Sequence, residues 1–192
     1  MSEAPARDGY LDAARACILD VGWRRTTLTE VARRAGVSRM TIYRAWSDMP
    51  QLLGDLMTRE WGELVAATTE EYDGSAPDPA TIAEGVVRAV RALRENELFV
   101  RILELDPELI LPYVLARRGR SQELVLGVLV TGIRAGQDAG TVRAGDATAM
   151  ARSVLLAAHG FALSAQTMLD DDVTEDVLDA ELRLLVERNL AP

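Results

Sequence analysis

Between Ser38 and Arg44 the chain concentrates two guanidinium groups (Arg39, Arg44), three hydroxyls (Ser38, Thr41, Tyr43) and the thioether of Met40. A guanidinium fork matches guanine O6 and N7 or phosphate oxygens, hydroxyls suit phosphates, and an apolar tip can touch a thymine methyl. Such a set recognises a polyanion that also carries readable edges. Thr27 and Thr29 add two hydroxyls a little upstream. Elsewhere reactive chemistry is sparse: the one histidine, His159, and the one cysteine, Cys17, lie far apart in the chain, and no glycine-rich phosphate loop or Cys/His cluster occurs. No catalytic pair, metal site or cofactor is expected, and an enzyme reading lacks its parts.

Groups of this kind must be held on rigid elements. Ala13, Ala14, Cys17, Ile18 and Val21 recur at helical spacing from Tyr10, and Gly22 stops that first helix. Thr27-Leu28-Thr29-Glu30 reads as a capping box, in which the Thr27 hydroxyl accepts from the Glu30 N–H and the Glu30 carboxylate reaches back. Leu28, Val31, Ala32 and Ala35 form the inner face of this second helix, which ends at Gly36. Ser38 caps a third, with Val37 and Ile42 placed as a hydrophobic staple. Ile42, Ala45 and Trp46 then face inward and leave Arg39, Met40, Tyr43 and Arg44 outside. Two helices joined by Ala35-Gly36-Val37-Ser38 have the spacing of a helix-turn-helix, whose second helix can enter a DNA major groove.

The pattern predicts an all-helical chain with no strand. Asp48 caps a fourth helix, with Pro50 in its first turn, running to about Tyr72, and Asp73 to Pro79 is the clearest linker. Ile82, Val86, Val87, Val90 and Leu93 mark a fifth helix, and Glu97 to Leu105 a short sixth. Pro107 and Pro112 are expected to disrupt the segment after Leu105. Arg120 to Ala139 is a seventh helix, ended by Gly140. Asp146 caps an eighth, and a ninth runs from about Thr174 to Asn189 behind Asp170-Asp171-Asp172. The expected division is a DNA-binding domain over residues 1–47 and a regulatory and dimerisation domain over 48–192.

Charge is unevenly spread. The net value is −9, yet residues 1–50 hold eight arginines against six acids. A basic head on an acidic body suits a nucleic-acid partner. The 48% hydrophobic content fits a folded globular chain. A single cysteine, no apolar run of membrane length and no signal-peptide pattern place the expected compartment in the cytoplasm.

The stretch from Gly22 to Trp46, with Thr27-Leu28-Thr29-Glu30-Val31-Ala32, Ala35-Gly36-Val37-Ser38 and Thr41-Ile42-Tyr43-Arg44 at its centre, resembles the N-terminal signature of the TetR (tetracycline repressor) family. The resemblance covers residues 10–56, and the chain length and helix count agree with three DNA-binding and six regulatory helices. It implies a homodimer on a pseudo-palindromic double-stranded operator, usually repressing, and released by a small molecule bound in the C-terminal body. It puts Thr41 and Tyr43 on phosphates and Arg39, Met40 and Arg44 nearest the bases. Thr27, Thr29 and Ser38 complete the expected DNA-binding set. Similar members usually carry Phe where Trp46 stands and Lys where Met49 stands, and loss of that lysine removes one phosphate contact.

In the body, Trp61, Phe99, Tyr113, His159 and Phe161 are candidates to line an effector pocket, with ordinary core packing as the alternative for the four aromatics and a packed subunit interface, on a helix rich in small residues, as the alternative for His159. Ala149, Ser153, Ala157 and Gly160 make a stripe of small residues that, with Leu178, Leu182 and Leu185, is the candidate dimer interface. A ligand between the fourth and eighth helices would then favour a dimer whose recognition helices no longer match successive grooves. The competing reading is a helical binding or scaffold protein whose head no longer engages DNA.

Overall fold

The computed structural model describes the backbone of residues 3–69 and 76–192 and the side chains of residues 6–64, 66 and 76–192. Among them are ten α-helices: α1 Glu3–Val21, α2 Leu28–Arg34, α3 Arg39–Ala45, α4 Met49–Thr69, α5 Pro79–Glu95, α6 Glu97–Leu105, α7 Leu111–Leu115, α8 Arg120–Ala139, α9 Ala147–Ser164 and α10 Glu175–Leu190. The described residues contain no strand, and none of their helices is long and apolar enough to cross a membrane.

Two departures from the expected pattern have local causes. Helix α1 begins seven positions before Tyr10, in a polar stretch with no apolar periodicity to read. The region expected to be disrupted by proline contains the short α7, because Pro112 sits in its first turn, where a missing N–H breaks no intrahelical bond. Pro107 likewise opens a 3-10 turn over 107–109. The expected end of the fourth helix at Tyr72 and the start of the linker at Asp73 lie outside the described residues. At the linker's far end, Asp78 caps α5: its Oδ1 accepts from the Thr81 N–H and hydroxyl, each at 2.7 Å.

The chain packs as two compact units, one formed by residues up to 60 with 95–120, the other by 61–94 with 121–192. In the first, α1 packs against α2 and α6, and α2 against α3. Ala14, Cys17 and Ile18 of α1, Val31 and Ala32 of α2, Ile42 of α3, Leu52 and Leu56 of α4, and Leu98 and Ile102 of α6 are buried there. Cys17 is thus a small core residue, and burial pushes its thiol up, keeping it protonated and inert. The turn between α1 and α2 is tied to the end of α6. The buried Asp106 accepts from the Trp23 N–H at 2.9 Å, and Arg24 reaches Glu108 at 2.5 Å.

The core of the second unit is built on the α5 stripe Ile82, Val86, Val87 and Val90, which meets Leu126 and Ile133 of α8, Met150, Ala151 and Val154 of α9, and Leu182, Val186 and Leu190 of α10. Each such aliphatic side chain contributes about 1.5–3 kcal/mol by leaving water. Within this unit Asp179 of α10 is buried and holds both Arg91 and Arg94 of α5, the latter at 2.7 Å. The cap expected at Asp146 forms, accepting from the Thr148 and Ala149 N–H groups, and the structure adds one at Thr174, which accepts from the Val177 N–H.

Candidate nucleic-acid interface

The turn between α2 and α3 is closed by backbone bonds. Val37 N–H donates to Ala32 O at 3.0 Å and Gly36 N–H to Arg33 O at 3.3 Å, the paired closure that ends a helix on a left-handed residue. Gly36 supplies that residue with φ 68°, a conformation costly to any side chain. Ser38 then starts α3, its Oγ accepting from the Thr41 N–H at 3.2 Å and sharing a hydrogen bond with the Thr41 hydroxyl at 2.9 Å. Thr27 caps α2 by accepting from the Glu30 N–H at 3.2 Å. The return half of the expected capping box is not made. The Glu30 carboxylate instead takes a bidentate pair from Arg33, at 3.0 and 2.6 Å, because a full guanidinium charge one turn on outcompetes a backbone amide. Arg33 also holds the Glu30 carboxyl below its ordinary value.

Helix α3 shows one face to the core and one outward. Ile42 and the capping Trp46 are fully buried, Met40 is 63% exposed and Tyr43 49%, and Arg39 and Arg44 are exposed beside them. Thr27 and Ser38 are exposed at the two helix starts, while Thr29 and Thr41 are half-buried. The charges in this region sort sharply. Arg7 pairs with Asp55, Arg15 with Glu60 and Glu97, Arg24 with Glu108, Arg33 with Glu30 and Arg34 with Asp20, while Arg25 donates to Val21 O. Arg39 and Arg44 have no acidic partner among the described residues. Arg39 and Arg44, two of the three head arginines without an acidic partner among the described residues (Arg25 is the third), therefore stand on one exposed face of a helix narrow enough for a major groove.

Residues 11–56, which contain this whole arrangement, match the model of bacterial regulatory proteins of the tetR family. Over 170 residues, 88% of this chain and 84% of the relative, the sequence is 34% identical to an uncharacterised HTH-type transcriptional regulator of Mycobacterium bovis. The chain belongs to the TetR family. A regulator of Mycobacterium tuberculosis is 33% identical over the same shares. Among solved structures, the TetR-family repressor QsdR of R. erythropolis has a TM-score of 0.70 at 16% identity, covering 98% of this chain and 96% of that one. The fatty acid degradation regulator FadR of Bacillus halodurans has a TM-score of 0.69 at 18% identity, covering 97% and 96%. This TetR-family protein is a helix-turn-helix, DNA-binding transcriptional regulator.

The aromatic and histidine residues expected to line an effector pocket divide between the two units. Phe99, on α6, is buried in the first unit at 4% exposure, and Tyr113 on α7 is half-buried there with the Arg117 guanidinium 5.1 Å from its ring centre. Trp61, His159 and Phe161 belong to the second unit, all half-buried, and Phe161 packs on its core. The Gln122 amide N–H donates to His159 Nε2 at 3.4 Å, and burial pushes the pKa of the ring down.

On the expected dimer face, Ser153 and Gly160 are exposed, Ala157 and Leu178 half-buried, and Leu185 is 48% exposed. Leu182 is the correction. It is fully buried, because α10 turns Leu182, Val186 and Leu190, four apart, into its own unit's core. The outward stripe of α9 accordingly runs through Ala149, Ser153, Leu156 and Gly160, with Leu156 at 70% exposure, and not through Ala157. Sequence reasoning also missed Asp55 and Asp106. Each is an acid whose partners come from distant parts of the chain, so no local spacing signals them.

Proposed function

We propose that this TetR-family regulator works in the cytoplasm as a homodimeric repressor of a pseudo-palindromic operator, released by a small molecule. Residues 1–47 serve as the reading head and 48–192 as the regulatory and dimerising body. Thr27, Thr29, Ser38, Thr41 and Tyr43 contact phosphates, and Arg39, Met40 and Arg44 contact bases. The observation that carries this reading is that Arg39 and Arg44 stand together on the exposed face of α3 with no acidic partner among the described residues, while five other head arginines, Arg7, Arg15, Arg24, Arg33 and Arg34, are paired with acids. A cation left without an internal partner keeps its full attraction for a phosphate or a guanine edge.

Dimerisation is supported by the exposed stripe of α9 and by Val177 and Leu185 of α10, 45% and 48% exposed. Two-fold symmetry then sets the recognition helices about 34–36 Å apart, one turn of DNA. Ligand release is supported by the fold shared with FadR of Bacillus subtilis, solved in complex with stearoyl-CoA (TM-score 0.66, 16% identity). In the second unit Trp61, His159 and Phe161 are the effector-facing residues of this reading. A ligand preferring one dimer state by about 1.4 kcal/mol changes DNA affinity tenfold.

Selection of the purified protein against a pool of random duplexes at moderate salt, followed by sequencing, tests the proposal. An enriched inverted repeat that Arg44→Ala fails to retain is the expected outcome. No enrichment from a folded dimer would instead favour a scaffold whose head has lost DNA.

A further inference from the structure

One carboxylate gathers charged and polar donors from three other parts of the first unit. Asp55 lies on α4, nine residues after Trp46, and is itself 13% exposed at its side chain. Its Oδ2 accepts the Trp46 indole N–H at 2.8 Å and pairs with Arg7 of α1, while its Oδ1 pairs with Arg120, the first residue of α8. The Arg7 guanidinium also lies 4.7 Å above the Trp46 ring centre, and Tyr10 meets that ring edge-on at 6.4 Å. Gly54 keeps the path open: a Cβ there would stand 3.2 Å from the Arg120 Nη2. Burial works to raise the Asp55 carboxyl, but the bonds from Trp46, Arg7 and Arg120 outweigh it and hold it below its ordinary value. It is ionised throughout the neutral range.

The far end of this network is the recognition helix. Trp46 is the C-cap of α3, its own N–H donating to Ile42 O at 2.9 Å, so whatever holds the indole also holds the turn that carries Tyr43 and Arg44. The near end differs in kind. Arg120 is 63% exposed, and an exposed arm can leave a carboxylate at small cost, whereas the buried indole N–H cannot lose its acceptor cheaply. A phenylalanine at position 46 would keep an aromatic ring in the smaller part of that volume and break the link, since it has no N–H to give.

We propose that Asp55 is the positioning residue of the recognition helix and that Arg120 is its releasable arm, so that displacing the start of α8 loosens the last turn of α3. The consequence for DNA binding rests on the regulatory reading above. The loosening itself does not.

Amide hydrogen exchange on the free protein tests the loosening without DNA. Arg120→Gln, which leaves the core untouched, is expected to speed exchange at Ala45 and Trp46 by about two- to fivefold, the range set by losing an exposed ion pair, while the thermal midpoint stays near wild type. In a Trp46→Phe background the same substitution should add nothing, because the relay is already cut. Should Trp46→Phe fail to fold, Asp55→Asn takes its place in the cycle with the same expectation. Wild-type exchange at α3 in Arg120→Gln overturns the proposal, as do effects that multiply in the double variant. Affinity for the selected duplex should weaken in parallel. Unchanged affinity beside a loosened α3 would overturn the link to DNA, and a wild-type protein that retains no duplex would overturn the regulatory reading while exchange still decides the role of Asp55.

Discussion

Single hydroxyls and single rings do much of the positioning. Ser38 orders the start of α3 and at the same time engages the Thr41 hydroxyl, so the two groups expected on phosphates are mutually oriented before DNA arrives. Such caps contribute about 1 kcal/mol each. His159 makes the clearest titration at this scale. Desolvation lowers its pKa below the ordinary 6.5, so the folded protein binds its proton less readily than the unfolded chain. Its contribution to stability is therefore fully present above the unfolded value and is lost as the pH falls below it toward the folded value. Thermal midpoints between pH 7.5 and 5 should fall further for the wild type than for His159→Gln. Parallel pH profiles would show that His159 is solvated as well in the folded protein as in the unfolded chain.

Between elements, the ion pairs differ by burial and not by length. Asp179 is 2% exposed and Arg94 8% at the side chain, joined at 2.7 Å across α5 and α10, whereas Arg183 and Glu84 are 44% and 40% exposed at the same 2.7 Å. Asp179→Ala strands a buried guanidinium and should lower the unfolding free energy by about 3 kcal/mol in a denaturant titration. Glu84→Ala removes a pair that solvent already screens, and should cost no more than about 0.5 kcal/mol. Equal losses would mean that the α5–α10 contact opens to water. The α2–α3 pair is the element most readable in advance, because capping, turn glycine and apolar face are all encoded within twenty neighbouring residues. The Glu30 carboxylate shows the limit of that reading. Local grammar names the Thr27 N–H as its partner, and competition from the Arg33 side chain takes it instead.

For the molecule as a whole, the dimer proposed above requires a surface that one protomer leaves exposed. Leu156 on α9 is 70% exposed and Leu185 on α10 48%. Leu156→Glu with Leu185→Glu is expected to give a folded monomer by sedimentation velocity. Affinity for an inverted repeat should then fall by about a hundredfold or more, since each half-site is held separately. A dimer that persists in this variant would place the interface elsewhere.

Near neighbours in the chain settle the helix periods, the caps at Ser38 and Asp146, the turn at Gly36, and the outward set Arg39, Met40, Tyr43 and Arg44. These depend on residues three or four apart, whose geometry is the same in any helix. Tertiary structure alone decided that Leu182 points into the core while Leu156 points out, that Phe99 and His159 belong to different units, and that Asp55 ties Trp46 to Arg7 and Arg120. Those facts depend on the rotation of whole helices about their axes and on partners many positions away, and a one-dimensional pattern holds no record of either.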